Sequence, residues 1–283
     1  MIIFSLVISG SFIFGSFVAN KINPSAISAI RFIFAFIFLF LIFKSKNRTK
    51  SFLFIKFYRY VLLGGLIAAY FVMMFEGLKT ASPITMSAIM ALMPFLTIIL
   101  EYIFYRKKIE ITIVLALVIG AVGSMWIIFG ANFKQILSFD IGKGESLFLI
   151  GCSCQAIYTL LIPVLNEGET TLEQTSNTML VSAILLILID FKAITNTAWS
   201  EVTLDTWFTI LYLSIFATAI AFFIIQYARN FLPTTYIMAY YYLVPMWVLI
   251  FETIIFGNFF RSAVWLGCFA IIFAFSTILL KDI

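Results

Sequence analysis

The chain has 283 residues, of which 63% are hydrophobic and only 11% are charged, and its net charge is +5. Soluble domains carry roughly 45–50% apolar and about 25% charged residues, so this composition excludes a water-soluble globular protein and indicates an integral membrane protein. The sequence contains no histidine, which removes the commonest general base and metal ligand, and its three cysteines (Cys152, Cys154 and Cys268) lie in apolar stretches typical of packing residues.

Ten apolar segments are long enough to cross a bilayer, which takes about 20 helical residues. In chain order, and numbered here as spans 1 to 10, they are residues 1–19, 25–43, 60–78, 83–104, 109–129, 145–165, 172–190, 206–228, 234–256 and 262–280. The first begins at Met1 without a basic leader, so we interpret it as a retained span rather than a signal peptide. The sequence therefore predicts an all-α integral membrane protein with ten transmembrane helices.

The basic residues between the spans predict the orientation. With cytoplasmic termini, the inner loops carry eleven basic residues, namely Lys44, Lys46, Arg48, Lys50, Lys56, Arg59, Arg106, Lys107, Lys108, Arg229 and Lys281. The outer loops carry six, namely Lys21, Lys79, Lys134, Lys143, Lys192 and Arg261. This asymmetry predicts a multi-pass protein of the plasma (inner) membrane with both termini inside. Because the basic residues lie in short loops, the positive charge does not indicate a nucleic-acid partner.

One loop departs from this pattern. Residues 166–173 are assigned to the cytoplasm, yet they carry Glu167, Glu169 and Glu173 and no basic residue. Acidic residues weigh little in the orientation rule, so the prediction stands with this loop unexplained.

A pattern of proline followed seven residues later by glutamate occurs twice, about 150 residues apart, as Pro94–Glu101 and Pro245–Glu252. Each copy follows a loop that holds another proline, Pro83 or Pro233. The chain is therefore interpreted as a duplication. Five spans per copy is an odd number, so the second copy must enter the membrane from the opposite side, which predicts a 5+5 inverted-topology repeat. We predict a first five-helix unit at 1–130, an external connecting loop at 131–144 and a second unit at 145–283.

Several stretches resemble the EamA-type proteins of the drug/metabolite transporter superfamily. The opening FIFGSFVANKINPSAISAIRFIFAF is similar to that family's spans 1 and 2, at Gly15, Ser16, Phe17, Val18, Ala19, Lys21, Pro24, Arg31, Phe32 and Ala35. FEGLKTASPITMSAIMALMPFLTIIL resembles its junction of spans 3 and 4, GCSCQAIYTLLI its span 6, with Ala156 and Tyr158, and WLGCFAIIFAF its last span. The resemblance extends over the whole chain and implies a metabolite transporter, often an exporter of amino acids or related solutes.

The chain departs from the family at the ends of spans 4 and 9. A Gly-Glu pair is common there, whereas this chain has Arg106-Lys107 and Gly257-Asn258. That glutamate usually lies at the helix terminus and is interpreted as structural, so its loss is not expected to change the activity.

Arg31 and Glu76 are candidate groups for binding or gating near the outer ends of spans 2 and 3. Arg31 lies about two turns inside the membrane, where a charge is expensive. It could bind a substrate carboxylate or act as a lid, or it could reach the outer headgroups or pair with Glu76 or a backbone carbonyl. Glu76 could hold a proton or an amine at a cavity mouth, or form an interfacial ion pair with Lys79 at i,i+3.

Glu101 and Glu252 are candidate proton-coupling groups, and Pro94 and Pro245 are candidate helix kinks. Each glutamate lies about two turns from its proline and so on nearly the same helix face. Since proline removes an intrahelical hydrogen bond and bends the helix, the two copies could be mirror-related gates. The alternative is ion pairing, of Glu101 with Arg106 or Lys107 and of Glu252 with Arg261.

Uncharged polar residues at membrane depth complete the candidate site. Gln155 and Tyr158 lie in span 6, Gln226 lies in span 8, and Tyr240, Tyr241 and Tyr242 precede Pro245 in span 9. A buried tyrosine hydroxyl needs a partner, and a polar cavity lined by aromatic faces would suit an amphipathic solute. Hydrogen bonds that only hold the bundle together remain an equal alternative.

The leading prediction is a secondary transporter that moves a small organic metabolite by alternating access between the two repeats. The sequence contains no phosphate-binding loop and no Gly-x-Ser-x-Gly motif, so neither an ATPase nor another enzyme is predicted, and no cofactor or metal is expected. The alternatives are a non-transporting scaffold or sensor, which would have an apolar centre, and a lipid or drug flippase, which would need a lateral opening. The expected partners are a small solute and the bilayer. The sequence does not decide the oligomeric state, and a monomer fits it.

Overall fold

A computed structural model of the chain describes residues 1–45, 57–106, 110–133, 141–258 and 262–280, with the side chains of 43–45 left out. Within these ranges it contains ten helices long and apolar enough to cross a membrane. In chain order they are Ile2–Ala19, Pro24–Ile42, Tyr58–Leu78, Pro83–Tyr105, Ile111–Ile128, Lys143–Val164, Thr171–Ile189, Leu204–Ala228, Thr234–Phe256 and Ser262–Leu279. The ten predicted spans and the all-α class are confirmed, and the span numbers are kept.

Local sequence signals set the first turns of several spans. Pro24 and Pro83 stand at the first helical position, where proline's missing N–H costs no hydrogen bond. The Ser82 side chain accepts from the Thr85 amide at 3.2 Å. Thr170 and Glu173 form a reciprocal capping box at the start of span 7. This cap explains one acid of the loop at 166–173, because Glu173 holds a helix terminus.

The packing of the spans is symmetric between the two halves. If spans 1 to 5 are exchanged with spans 6 to 10 in the same order, each packed pair corresponds to another packed pair. Span 3 packs against spans 6 and 7, just as span 8 packs against spans 1 and 2. Span 1 contacts span 9, and span 6 contacts span 4. The pairs 2 and 7, 4 and 9, and 5 and 10 map onto themselves. Two halves related by a pseudo-two-fold axis are expected to pack in this way.

Spans 5 and 10 approach each other at two glycines. A Cβ atom placed on Gly123 would lie 2.8 Å from the carbonyl oxygen of Gly267, and one on Gly267 would lie 2.7 Å from the carbonyl oxygen of Gly123. Small residues of this kind let transmembrane helices pack backbone to backbone. Nearby, the Trp126 indole donates to the Ala263 carbonyl at 2.8 Å.

Three spans are irregular near the middle of the membrane. Span 4 consists of the helices Pro83–Met90 and Met93–Tyr105, and Pro94 lies in the first turn of the second. Span 9 consists of Thr234–Ala239, a 3₁₀ turn at Tyr240–Leu243 and Val244–Phe256, and Pro245 occupies the matching position. Span 8 contains a π-helical segment at Ile215–Ile220, which the sequence did not predict.

Candidate functional site

A polar cavity of about 480 Å³ opens at one end of the bundle. Its walls come from the end of span 6, the loop that follows it, the start of span 7 and the end of span 8. The residues are Ile162, Pro163, Asn166, Glu169, Thr170, Thr171, Gln174, Gln226, Arg229 and Asn230. We call this cavity the vestibule.

The floor of the vestibule is a chain of hydrogen bonds between spans 6, 7 and 8. Gln226 is 2% exposed, and its amide nitrogen donates to the Tyr158 hydroxyl at 2.7 Å. Its amide oxygen accepts from Thr175 Oγ1 at 2.8 Å. Two of the residues predicted from sequence, Tyr158 and Gln226, are thus brought together. Beside them, Gln174 donates to the Ile162 carbonyl at 3.1 Å.

The rim of the vestibule contains an ion pair between the start of span 3 and the loop after span 6. The buried Arg59 side chain donates to Glu169 at 2.7 Å and to the Leu165 carbonyl at 2.7 Å, and it lies 3.8 Å from Glu167. The acidic loop therefore takes its positive partner from the first turn of span 3. Because these two regions touch, they lie at the same membrane face, as the predicted orientation requires.

The ionisation of Glu169 follows from these contacts. Burial alone would raise the pKa of this carboxyl, but the hydrogen bond from Arg59 and the backbone amides, together with the Arg59 charge, outweigh burial and hold the pKa below its usual range. Glu169 is therefore an anion at neutral pH.

A second polar pair lies deeper, between spans 6 and 9. Gln155 Nε2 lies 3.5 Å from the Tyr241 hydroxyl, and the amide oxygen of Gln155 has no hydrogen-bond partner. Both side chains are buried. Tyr240, predicted to belong to this group, lies elsewhere: its ring packs edge-on against Phe275 of span 10 at 5.2 Å. The buried Tyr242 lies 3.4 Å from the Leu117 carbonyl in span 5.

Aromatic rings separate the vestibule floor from the centre of the bundle. The rings of Tyr158 and Phe222 are 5.8 Å apart, and those of Phe222 and Phe71 are 5.7 Å apart. The Arg31 guanidinium lies over the Phe71 ring with its carbon 4.1 Å from the ring centroid. A continuous series of contacts thus connects the floor residue Gln226 to Arg31.

Arg31 is fully buried. Its Nη2 donates to the Ala217 carbonyl at 3.1 Å and to Ser11 Oγ at 3.3 Å, and its Nε donates to Thr218 Oγ1. Ser11 lies halfway along span 1, so the guanidinium reaches the membrane interior. The suggestions that Arg31 extends to the outer headgroups or pairs with Glu76 are wrong, because a long side chain inside a closely packed bundle finds nearer acceptors. Of the structural alternatives, the backbone carbonyl is the one observed.

The π-helical segment of span 8 supplies two of these acceptors. Ala217 and Thr218 both lie within Ile215–Ile220, and Thr218 Oγ1 also donates to the Leu213 carbonyl at 2.8 Å. A π-bulge changes the hydrogen-bond register and is frequent at functional sites. Hydropathy contains no signal for this register change, so the sequence could not predict it.

The candidate carboxylates do not meet at the site. Glu76 pairs with Lys79 at 2.9 Å, which is the interfacial alternative. Glu101 interacts electrostatically with Arg229 at the vestibule, and burial lowers the pKa of Arg229 while Glu101 opposes this shift. Glu252 is 7% exposed and accepts from Asn258 Nδ2 at 2.9 Å. The suggested partners Lys107 and Arg261 lie outside the described residues.

Two further cavities flank the bundle. An apolar groove of about 370 Å³ lies between spans 2, 7 and 8, and it shares Thr170 and Thr171 with the vestibule. The groove is lined by Phe38, Leu39, Ile42, Thr170, Thr171, Leu172, Ile220, Phe223 and Tyr227. A second cavity of about 350 Å³ lies at the opposite end, near Lys21 and Thr203.

Sequence reasoning missed several residues of the site. Thr175, Gln174, Ser11 and Thr218 are single hydroxyl or amide side chains in apolar helices, where most such residues bond to their own backbone. The one available signal was the cluster of polar residues at the start of span 7, in EQTSNT. Among the described residues, no group of three or more cysteine, aspartate or glutamate side chains could hold a metal.

Comparison with known proteins adds an independent line of evidence. A model of the EamA-like transporter family matches residues 1–129 and 142–280. The chain is 25% identical over 221 residues to the uncharacterized transporter YyaM of Bacillus subtilis (strain 168), covering 77% of this chain and 72% of that protein. A solved crystal structure with 15% identity superposes with a TM-score of 0.76 over 99% of this chain and 95% of its own, which shows a common fold.

Proposed function

The chain belongs to the EamA-like transporter family and is a multi-pass membrane transporter, and from this premise we propose that it is a secondary active carrier of a small organic metabolite. The proposed solute is an amino acid or a related compound, and export is the proposed direction. Movement would occur by alternating access between two five-helix repeats of inverted topology. The exchange of packing partners between spans 1–5 and spans 6–10 supports this repeat.

The observation that carries the proposal is the vestibule. The lining of this polar recess includes Gln226, which donates to the buried Tyr158 hydroxyl, so a solute that enters from one side would lie against the hydrogen-bonded groups of spans 6, 7 and 8. Beyond this floor the side chains of Tyr158, Phe222 and Phe71 are fully or almost fully buried. The described state is thus open to one face and closed towards the centre, which alternating access requires of one of its two end states.

We place the vestibule at the cytoplasmic face of the plasma membrane, with both termini inside. The basic-residue asymmetry supports this orientation. The contact of Arg59 with Glu169 accounts for the one exception to this asymmetry, because Arg59 supplies the positive charge that the loop at 166–173 lacks. The described state would then be inward-facing.

The energy source in this proposal is an ion or solute gradient. Glu101 and Glu252 both lie near the C-terminal ends of the matching spans 4 and 9. In an inverted repeat these two ends lie at opposite membrane faces, so protons would reach each glutamate from a different side. Proton coupling through them, or through Glu76, is the subsidiary part of the proposal. It fails if uptake into vesicles ignores an imposed pH gradient, and transport itself does not depend on it.

The apolar groove favours one alternative, a lipid or drug flippase. The groove lies on the lipid-facing side of spans 2 and 8 and meets the vestibule at Thr170 and Thr171. An amphipathic molecule could pass from the bilayer into the vestibule there. Two variants separate the readings: Phe223→Trp would fill the groove, and Gln226→Leu would make the vestibule floor apolar.

The test uses purified protein in vesicles loaded with a mixture of amino acids and small organic acids, with efflux followed by mass spectrometry. The proposed carrier releases at least one water-soluble solute, loses this activity in Gln226→Leu and keeps it in Phe223→Trp. A flippase shows the opposite sensitivity, with a fluorescent phospholipid as the probe. If the vesicles show no solute release and no lipid movement, both the carrier and the flippase readings are contradicted.

A further inference from the structure

Arg31 is a buried cation without a counter-ion. Among the described residues, ion pairs connect Arg59 with Glu167 and Glu169 and Lys79 with Glu76, whereas Arg31 has no ion-pair partner in that part of the chain. All three hydrogen-bond acceptors of Arg31 are neutral: two hydroxyls and one carbonyl. Burying a charge without an opposite charge costs several kcal/mol, and inside a membrane such groups mark solute paths.

The Arg31 guanidinium also has hydrogen-bond donors that are not used. It has five N–H groups in a rigid planar fork. Three are used, one on Nε and two on Nη2. Nη1 is buried and has no hydrogen-bond partner. The longest of the three contacts is the 3.3 Å bond from Nη2 to Ser11. An anion in the place of Ser11 would have both the Nη2 donor and the unused Nη1 donors of the same guanidinium available to it.

We propose that Arg31 binds the carboxylate of the transported solute at the centre of the bundle. This inference rests on the proposed carrier function and names its substrate class: small monocarboxylates with an apolar or aromatic part. Carboxylates match the guanidinium fork in bidentate geometry. The Phe71 ring already covers one face of the guanidinium at 4.1 Å, and Phe222 beside it offers an apolar surface to the rest of the solute.

The charge balance favours a single negative charge. Arg31 is the one cation at this depth among the described residues, and its surroundings are hydroxyl groups and aromatic rings. One carboxylate would neutralise it, whereas a phosphate dianion would leave an uncompensated charge in the membrane interior. The neutral acceptors on the π-helical segment, Ala217 and Thr218, would hold the guanidinium when no solute is bound.

The experiment compares each acid with its own amide, which has nearly the same shape and no charge. Thermal unfolding of the purified full-length protein is followed with 3-phenylpropionate against 3-phenylpropionamide, phenylalanine against phenylalaninamide, and phenyl phosphate as the dianion. A ligand that binds the folded state raises Tm. We expect at least one acid to raise Tm and its amide and phenyl phosphate to have little effect.

Two variants at position 31 assign the preference to Arg31. In Arg31→Gln the acid concentration for half-maximal stabilisation should rise at least tenfold, about 1.4 kcal/mol. Arg31→Lys keeps the charge but loses the planar guanidinium fork, so its affinity for the acid should lie between those of the wild type and Arg31→Gln. The matched control is Lys192→Gln, which removes an exposed basic residue from the short helix Phe191–Thr195, away from Arg31 and the vestibule, and it should keep the acid preference.

The outcomes separate this inference from the carrier proposal. If wild-type protein favours no acid over its amide, or if Arg31→Gln or Arg31→Lys keeps the full preference, the carboxylate site is overturned. The comparison of acid with amide in the wild-type protein needs no variant, so it tests the site even if substitutions at Arg31 prevent folding. Vesicles that release amides as fast as acids would overturn the site and leave the carrier intact. Acid binding without any solute movement would leave the site intact and overturn the carrier.

Discussion

Gln226 donates to the Tyr158 hydroxyl at 2.7 Å, and this bond closes the floor of the vestibule. It connects span 8 to span 6, which are two helices of the second half. Both helices would change their contacts with the first half if the two halves rock against each other. Because one partner faces the vestibule and the other faces buried aromatic rings, the bond lies at the boundary between the wet and dry parts of the bundle.

Tyr158→Phe removes this boundary bond without changing the ring. The Gln226 amide then loses a buried acceptor, and we expect the free energy of unfolding to fall by about 1 kcal/mol, with altered transport rates in vesicles. Tyr102→Phe is the matched control, because Tyr102 is 59% exposed on the outside of span 4. Equal effects of the two substitutions would show that the bond has no special role.

Gly123→Ala tests the contact between spans 5 and 10. The added methyl group would lie 2.8 Å from the Gly267 carbonyl oxygen, which belongs to the backbone and cannot rotate away. We expect destabilisation of about 1–3 kcal/mol, as for other overpacked cores. Gly65→Ala is the control, since its methyl group would lie 3.9 Å from the flexible Leu185 side chain. The Tm values of the two variants are compared with that of the wild type. An unchanged Tm for Gly123→Ala would contradict the close packing of spans 5 and 10.

Such contacts show what could and could not be predicted from the sequence. The spans were predictable because about 20 apolar residues must be helical in a bilayer, and the ends agree closely, as in Tyr58–Leu78 for the predicted 60–78. Side-chain partners depend on which spans become neighbours. Thus Tyr158 and Gln226 were both recognised as polar residues at depth, but their bond, the Arg59–Glu169 pair and the π-helical acceptors of Arg31 required three-dimensional contacts.

The Arg59–Glu169 pair predicts a pH dependence. The pKa of Glu169 is lower in the folded protein than its ordinary value of 4.5. The carboxylate therefore contributes stability that is fully present above the unfolded-state pKa and is lost as the pH falls through the lower folded-state pKa. Wild-type protein should have a higher Tm than Glu169→Gln at pH 7, and the difference should shrink below about pH 4.5. A difference that grows on acidification would contradict the pair.

Pro94→Ala and Pro245→Ala test the breaks in spans 4 and 9. Each substitution restores a backbone N–H that can extend the second helix towards the first, so we expect equal or greater stability but slower transport. Pro83→Ala is the control, because Pro83 stands at the first helical position of span 4, where a restored N–H does not change the break. Vesicle efflux and thermal unfolding are measured together. Full transport rates in both variants would show that the breaks do not act in the transport cycle.

Alternating access itself is tested most directly at Ser11, which is 1% exposed and contacts Arg31 in the middle of the membrane. In protein with Cys152, Cys154 and Cys268 replaced by alanine, Ser11→Cys is treated with a membrane-impermeant thiol reagent from either side of sealed vesicles. Asn230→Cys, in the vestibule, and Thr197→Cys, in the cavity at the opposite end of the bundle, serve as reactive markers for the two membrane faces. The account predicts that Ser11→Cys reacts from both sides while each marker reacts from one. A cysteine at position 11 that stays protected from both sides, with both markers reactive, would contradict it.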